Sequence, residues 1–331
     1  MSDTAVKDES LSLDEALNSL TGKHDTFNAR VRKVSRLSVD GFPRVQASFY
    51  YLAFQDGLPT IDQFVLYLKH RMVTFCIPRR ERMHVRAQIL ADSDEAERLV
   101  LEQFEKARDL FIRAKEQQKK AGEPGELILF VLLEWALRAP QLISKMYLKT
   151  SAEMPVHGTD GIHVGLHDDG KTLLLYWGES KLYGDLPDAL DAVFKSVRDF
   201  QEDAGKQKRE IDIVRDHMDL GDDQQALRDA LLEYLDPYSD KANKRRHVFA
   251  CFVGFDYSRY EQLRKLHPDQ VEEEFRKLFD QRAVEAIELL RRRLVADGME
   301  VVNFEFFLIP FPSVKTFRTA FFKHTGIGNA E

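Results

Sequence analysis

The residues of this chain that can do chemistry together are one aspartate and a Glu-x-Lys element on two predicted neighbouring strands. The sequence DGIHVGLH begins at Asp160, and the sequence TLLLYWGESKLY contains Glu179 and Lys181. Both have the β-branched and aromatic content of strands. Side chains alternate across a strand, so Glu179 and Lys181 point to the same face. A carboxylate and an ammonium therefore emerge side by side.

The turn between these strands decides which residues face each other. Asp169 and Gly170 form an Asp-Gly pair, which favours a two-residue type I′ hairpin turn. With that turn, one face of the hairpin is apolar until its end, where Asp160 lies opposite Glu179. Opposed residues have Cβ atoms about 4.5 to 5.5 Å apart, and like charges there are destabilising unless something compensates them. The arrangement therefore requires a cation.

Two kinds of cation satisfy this requirement. Oxygen ligands, with room for water and phosphate, suit Mg²⁺ or Mn²⁺ better than zinc. Alternatively, Lys181 supplies the positive charge itself, and Asp160, Glu179 and Lys181 form an ion cluster at the end of a sheet, with no metal. The spacing alone favours the ion cluster, because such clusters are common at strand ends and the register is an assumption.

The elements around the hairpin predict an α/β core with a mixed sheet. A mostly apolar helix begins at Gly125, and a second helix follows Pro140. Beyond the hairpin, the patterns predict a helix, a strand at 247–255, a long charged helix at 268–297 and a last strand. Helices and strands that alternate in this order are typical of α/β proteins with a mixed sheet.

Length and composition indicate a globular protein with about two domains. The 331 residues, 44% hydrophobic and 31% charged, are enough to bury a sizeable core. The break AGEPG at 121–125 ends a long charged helix and predicts a domain boundary. We therefore expect an acidic N-terminal tail or short helix at 1–25, an N-terminal α+β domain of unknown role at 26–121, and the α/β domain at 122–331.

Composition also argues against several classes of protein. The longest apolar run, 127–133, is far shorter than the roughly 20 residues of a membrane-spanning helix. The acidic N-terminus lacks a secretory pattern, so we expect a cytoplasmic protein. Cys76 and Cys251 are too few for a disulfide framework or a thiolate zinc site. A net charge of −7 argues against a protein whose whole surface binds nucleic acid.

A phosphate-loop pattern occurs in the hairpin, but its setting argues against ATP binding. Residues 165–172 read GLHDDGKT, which matches G-x-x-x-x-G-K-T. A working phosphate loop leads from a strand into a helix, whereas a β-rich run follows here. We expect a hairpin turn, with Gly170 at positive φ, and no ATP binding by this chain. His163 falls on the face opposite Asp160, which favours a packed or surface role, whereas His157 could approach the site from its loop.

Basic clusters are the candidate contacts for nucleic acid. Lys145 and Lys149 are four residues apart on a predicted helix, hence on one face, and either hold a DNA backbone or form an exposed helix face. Two further clusters are Arg79 with Arg80, and Lys241 with Lys244, Arg245 and Arg246. They are dense enough to contact phosphates, although such clusters are more often solvated surface.

An ordered set of motifs resembles a known nuclease superfamily. Gly125 and Glu126 open an apolar helix, GTDGIH follows at 158–163, and GESK follows at 178–181. This order is similar to the PD-(D/E)XK nuclease superfamily, in which a helix acid precedes a strand aspartate and a strand Glu-x-Lys. Thr159 stands where the superfamily name has proline. More narrowly, GELILFVLLEWAL, SKMYLKT, GTDGIHV and WGESKLY resemble the C-terminal domain of the HamA family, the nuclease subunits of Hachiman anti-phage systems.

The resemblance implies a restriction-endonuclease-like core and gives roles to particular residues. It makes Asp160 and Glu179 metal ligands, Lys181 the catalytic lysine and Glu126 the helix acid, with Glu123 the other acid on offer there. The implied activity is hydrolysis of DNA phosphodiester bonds with Mg²⁺ or Mn²⁺, alongside a partner helicase subunit (HamB-like). The rival interpretation is a catalytically inert adaptor that holds the helicase and binds DNA.

Overall fold

Helices and strands alternate along the chain. The computed structural model describes residues 12–117, 122–149 and 158–328. The strands are β1 (Val31–Val39), β2 (Phe42–Leu52), β3 (Phe54–Gln55), β4 (Leu58–Pro59), β5 (Gly161–Leu166), β6 (Leu173–Tyr183), β7 (Arg245–Asp256) and β8 (Phe304–Phe311). The helices are α1 (Leu13–Leu20), α2 (Ile61–Cys76), α3 (Arg79–Ala91), α4 (Ala96–Gln117), α5 (Glu123–Leu137), α6 (Lys145–Lys149), α7 (Leu186–Glu202), α8 (Ala204–His217), α9 (Gln225–Leu235), α10 (Arg259–Leu263), α11 (Pro268–Ala296) and α12 (Val314–Thr325).

One mixed sheet organises the fold. Within the described residues, six strands lie in the order β1-β2-β8-β7-β6-β5. Strands β2, β8, β7 and β6 are parallel, and the outer strands β1 and β5 are antiparallel to their neighbours. Strands β7 and β8 are near-continuous apolar runs because helices cover both of their faces. The prediction of an α/β fold with a central mixed sheet flanked by helices is confirmed.

The two faces of the sheet bury separate apolar cores. Trp177 of β6 packs in the layer of α7, α9 and α11, where its ring centroid lies 5.2 Å from that of Phe200. The next residue towards the hairpin turn, Tyr176, faces the layer of α2, α5 and α12. Helix α5 is buried from Glu123 to Glu134, because its residues are apolar on nearly all sides. The acids of its first turn therefore lie inside the fold.

Elements that precede residue 121 contribute to the same sheet and cores. Strand β2 pairs in parallel with β8, where Ala47 lies opposite Phe306. The boundary proposed at 121–122 therefore separates elements that share one sheet. Helix α1 buries Leu17 and Leu20 in the core, which corrects the prediction of a tail for this segment in favour of the short helix.

The β5-β6 hairpin has the predicted register but a different turn. Its ladder runs to Gly161 opposite Gly178, as predicted. The Gly170 N–H donates to the carbonyl of His167 at 2.8 Å, so the turn lies one residue earlier than expected. Gly170 has a φ of 65°, but Asp169 is not at positive φ, so the type I′ prediction is wrong. The register is kept because the loop, not the strand pairing, absorbs the difference.

Candidate functional site

Strand β6 presents Glu179 and Lys181 on the face covered by α7. Glu179 lies opposite Cys251 of β7, and the nearby Ser196 hydroxyl of α7 acts to lower the pKa of its carboxyl group. The Lys181 ammonium donates to Oε1 of Glu179. The shared face that strand alternation predicts is therefore present, and Glu179 and Lys181 form an ion pair on it.

Asp160 directly precedes β5 and is held by Gly178 and Ser180 of β6. Its N–H donates to the carbonyl of Gly178 at 2.8 Å. Its Oδ2 accepts from the N–H of Ser180 at 2.7 Å and from the Ser180 hydroxyl at 2.8 Å. A Cβ on Gly125 of α5 would lie 3.1 Å from that hydroxyl, so glycine there allows α5 to approach Ser180 closely. The middle residue of the Glu-x-Lys element thus orients the aspartate.

Burial and a neighbouring carboxylate make ionisation of Glu179 unfavourable. The side chains of Glu179 and Lys181 are only 13% and 21% exposed. Burial, and then the charge of Asp160, raise the pKa of Glu179 to about 7, although Lys181 and Ser196 act to lower it. Burial acts to lower the pKa of Lys181, but the two carboxylates outweigh it and the pKa is raised. Lys181 alone therefore does not compensate both acids.

A divalent cation fits this pair of carboxylates. Proteins commonly hold Mg²⁺ through one or two carboxylates, with water and substrate phosphate as the other ligands. The raised pKa of Glu179 marks a carboxylate that a further cation would stabilise. No group of three or more His, Cys, Asp or Glu side chains suited to a metal occurs among the described residues. Asp160 and Glu179 are the two carboxylates whose charges interact here.

Glu126 lies inside the fold. It is buried on the first turn of α5, in the layer where α5 packs against α2. Burial raises the pKa of the Cys76 thiol on α2, and the charge of Glu126 raises it further. The role of Glu126 as a metal ligand stays a prediction.

Lys145 is buried, so its prediction as a DNA contact is wrong. Its side chain is 0% exposed, and its Nζ lies 2.6 Å from Oε2 of Glu210 on α8, which is 2% exposed. The same ammonium donates to the carbonyl of Thr159 at 2.7 Å and to its hydroxyl at 3.1 Å. This pair therefore holds the backbone that leads into Asp160. Lys149 ends α6, and its side chain lies outside the described residues.

The other predicted DNA contacts lie at the far end of the sheet from the site. Lys244, Arg245 and Arg246 meet at the start of β7, where Arg245 lies opposite Leu173. At about 3.3 Å per residue, Leu173 is roughly 20 Å along β6 from Glu179. Lys244 and Arg246 are exposed. A nucleic acid that touched both places would run along most of β6.

The phosphate-loop pattern forms a hairpin turn, as expected. Strand β6 follows residues 165–172 directly, and the Asp169 carboxylate accepts two backbone N–H groups at 2.8 Å. The segment therefore lacks the helix N-terminus of a phosphate loop. His163 is buried, and its Nδ1–H donates to a backbone carbonyl at 2.8 Å, which confirms the packed role. His157 lies outside the described residues.

Comparison with known proteins places the chain in a family. A sequence model of the HamA family matches residues 26–325, nearly the whole chain. The chain belongs to the HamA family. It is therefore a protein related to Hachiman defence. No similar sequence is found among the curated proteins compared with it.

The HamA match begins well before the motifs that suggested it. Those motifs lie between Gly125 and Lys181, whereas the match starts at residue 26. Strands β1 and β2 therefore belong to the HamA sequence as well as to the common sheet.

Among the described residues, every helix is too short or too polar to span a lipid bilayer.

Three polar residues that support this HamA site were missed by sequence reasoning. Ser180 had a signal, since it stands between the acid and the lysine of the Glu-x-Lys element. The signal at Thr159 was only that the superfamily name has proline at this position. Glu210 had no signal, because nothing in the chain around it shows that α8 meets Lys145. Each role depends on a contact between segments that are separate in sequence.

Proposed function

We propose that this HamA-family protein is a metal-dependent DNA nuclease, the effector subunit of a Hachiman-type anti-phage system that works with a partner helicase (HamB-like). One observation carries the proposal: Glu179 and Lys181 form a largely buried ion pair near the end of the β5-β6 hairpin, where the charge of Asp160 acts on both and the pKa of Glu179 stays raised despite Lys181. Family membership supports the link to defence.

The residues at this site suit metal-assisted hydrolysis of a phosphodiester bond. Asp160 and Glu179 would hold one or two Mg²⁺ or Mn²⁺ ions. When bound, such an ion lowers the pKa of its water ligand and neutralises charge at the phosphate. Ser180 orients Asp160, and Lys181 pairs with Glu179. Both acids are therefore held by neighbouring groups, as preorganised ligands require.

Lys181 is placed to act on the same phosphate. Its ammonium lies on the face of Glu179 and is kept protonated, because the two carboxylates raise its pKa above the usual value despite burial. A fixed positive charge there would orient the attacking water or stabilise the negative charge that develops on the phosphate. Lys181 therefore contributes to the reaction as a charged group in this proposal.

The proposal also covers how the protein and its partner helicase would share the binding of DNA. A net charge of −7 does not favour strong binding of DNA by the whole surface. We expect much of the DNA affinity to come from the helicase. The exposed Lys244 and Arg246, with Arg245 between them, are the candidate contacts of this chain for a DNA backbone, together with Lys149.

A catalytically inert adaptor is the second candidate. Lys181 already pairs with Glu179, and the described part of the chain shows no group of three or more His, Cys, Asp or Glu side chains suited to a metal. Both observations favour an ion cluster. Such a protein would use the same fold to hold the helicase and bind DNA, without cutting it.

Plasmid cleavage separates the two candidates. The protein is incubated with supercoiled plasmid and Mg²⁺, with and without the partner helicase. We expect cleavage by the wild type and a loss of at least about 100-fold in Glu179→Gln and in Lys181→Met, as for removal of one group that stabilises a transition state. Asp168→Asn, an exposed acid at the opposite end of the same hairpin, is the matched control and should cleave normally.

The same assay identifies the adaptor. Circular dichroism and urea unfolding establish that each variant is folded. A wild type that binds the helicase and DNA, yet cleaves under no metal or partner condition, rejects the nuclease and supports the adaptor.

A further inference from the structure

A second concave site carries a concentration of positive charge. It lies between the end of α1 and helices α2, α3 and α5, and has a volume of about 360 Å³. Its charged lining residues are Lys23, Arg71, Arg79, Arg82, Arg86, Glu134 and Asp219. We call this site the arginine cleft. It is distinct from the site of Asp160, Glu179 and Lys181.

Three of its arginines lie on one side of a single helix. Arg79, Arg82 and Arg86 are three and four residues apart on α3, which puts them on the same face. Arg71 approaches from α2. Burial, and then the charge of Arg79, lower the pKa of Arg82 to about 10. The guanidinium groups are therefore partly desolvated and repel one another.

The acids of the arginine cleft do not balance its cations. Oε2 of Glu134 accepts from the N–H of Gly22 and lies 3.0 Å from Nε2 of His24. The Asp219 carboxylate accepts the first two backbone N–H groups of α3. Among the lining residues, five cationic side chains face two carboxylates, an excess of three positive charges that the nearby Asp223 reduces, in a chain whose net charge is −7.

Two buried donors of the arginine cleft also lack an acceptor. Nε of Arg71 and Nε2 of Gln141 find no hydrogen-bond partner within the described parts of the chain. Gln141 is only 8% exposed, yet it lines the cleft. A buried donor without an acceptor is destabilising. The excess charge and the open donors both indicate an anion that accepts hydrogen bonds.

We infer that the arginine cleft binds a phosphate group, carried by a nucleotide or by the end of a nucleic-acid strand. Guanidinium groups bind phosphate through paired N–H donors. A phosphate dianion matches this excess of positive charge better than a carboxylate does. The volume suits a small ligand or a strand end, not a continuous duplex. The inference does not depend on the proposed nuclease activity.

Thermal unfolding of the full chain tests the arginine cleft. The probes are inorganic phosphate, a nucleoside 5′-monophosphate, and one oligonucleotide with either a 5′-phosphate or a 5′-hydroxyl, all at matched ionic strength. At least one of the phosphate-bearing probes should raise the Tm of the wild type, because a ligand that binds only the folded state stabilises it. The apparent affinity should fall at least about tenfold in Arg86→Gln and in Gln141→Met.

These variants are chosen to keep the fold. Arg86 is exposed, and Gln141→Met removes a buried donor that has no acceptor, so the free protein should be no less stable. The matched control is Arg80→Gln on the same helix, because Arg80 pairs with Asp222 outside the cleft. It should respond to phosphate as the wild type does.

The outcomes decide both the site and the source of the phosphate. No rise in Tm with any phosphate-bearing probe overturns the inference, and so does an equal rise in the wild type, Arg86→Gln and Gln141→Met. Stronger binding of the mononucleotide supports a nucleotide site. A preference for the 5′-phosphate over the 5′-hydroxyl oligonucleotide, lost in Arg86→Gln, supports a site for strand ends.

Discussion

Replacing Glu210 with glutamine should destabilise the whole protein. The Lys145 ammonium would then stay buried beside the two neutral acceptors of Thr159, without the charge of Glu210. Removing one partner of a buried ion pair costs about 3 to 5 kcal/mol in the free energy of unfolding. Typical proteins have a total of about 5 to 15 kcal/mol. We therefore expect Glu210→Gln to fold at low temperature but to lose a large part of its stability.

Urea unfolding followed by circular dichroism measures this loss. With a slope of about 3 kcal/mol per molar urea, the midpoint should fall by about 1 to 1.7 M. The matched control is Asp212→Asn, which breaks the Lys208–Asp212 pair on the same helix. Those side chains are 80% and 40% exposed, so the control should cost less than about 1 kcal/mol. Replacing both Lys145 with methionine and Glu210 with leucine should recover most of the lost stability, because neither charge of the pair then stays buried.

Mg²⁺ binding provides a second measurement, which tests whether the Lys145–Glu210 pair also supports the proposed metal site at Asp160. Thr159 precedes Asp160, so Glu210→Gln should weaken Mg²⁺ binding by the folded variant, measured by calorimetry at low temperature. A loss of stability below about 1 kcal/mol, equal to that of Asp212→Asn, would refute the claim that Lys145 needs Glu210. A normal Mg²⁺ affinity in a strongly destabilised variant would show that the pair supports the fold and not the site.

Three further predictions concern pH and backbone packing. Mg²⁺ affinity should rise between pH 6 and pH 8, because the Glu179 carboxyl group, with a pKa of about 7, must lose its proton to bind; calorimetry at several pH values checks this, and a flat profile contradicts it. The metal-free protein should lose stability as pH rises from about 4.5 to about 7. Burial raises the pKa of Glu305 from 4.5 to about 7. Between these pH values the folded state therefore binds more protons than the unfolded state, and a rise in pH favours unfolding. Glu305→Gln should flatten part of that slope in urea unfolding, and an unchanged slope would contradict the assignment. Gly158→Ala should cost more than about 2 kcal/mol, because its Cβ would overlap with the buried carboxylate of Glu210. Gly122→Ala should cost little, since there is open space around its Cβ; equal thermal unfolding of the two variants would contradict this.

Local patterns predicted the hairpin and its acids because the determining contacts are local. Alternation put Glu179 and Lys181 on one face, and the apolar face fixed a register that brings Asp160 close to them. The turn type was wrong because the Asp169 carboxylate binds the backbone N–H groups that follow it, an interaction that an Asp-Gly pair does not reveal. The strand pairing did not depend on that detail.

Residue spacing does not predict contacts between segments that are far apart in the sequence. Lys145 shares a helix face with Lys149, but only the position of α8 shows that Lys145 is inside the protein. Arg79 was interpreted as surface, and the structure places it in a cleft with Gln141, a residue with no chemical motif. Strand β2 was recognisable as a strand, but an apolar pattern does not name its partner, which is β8.

The place of β8 in the sheet has a consequence for how the protein is made. It inserts between β2 and β7, although the ribosome produces it after both. Until Phe304–Phe311 emerges, the early hairpin of β1 and β2 and the strand next to Glu179 each present an unpaired edge, which invites wrong pairing. A nascent chain therefore cannot complete the support of its own acidic centre, and assembly of that centre waits for nearly the whole polypeptide.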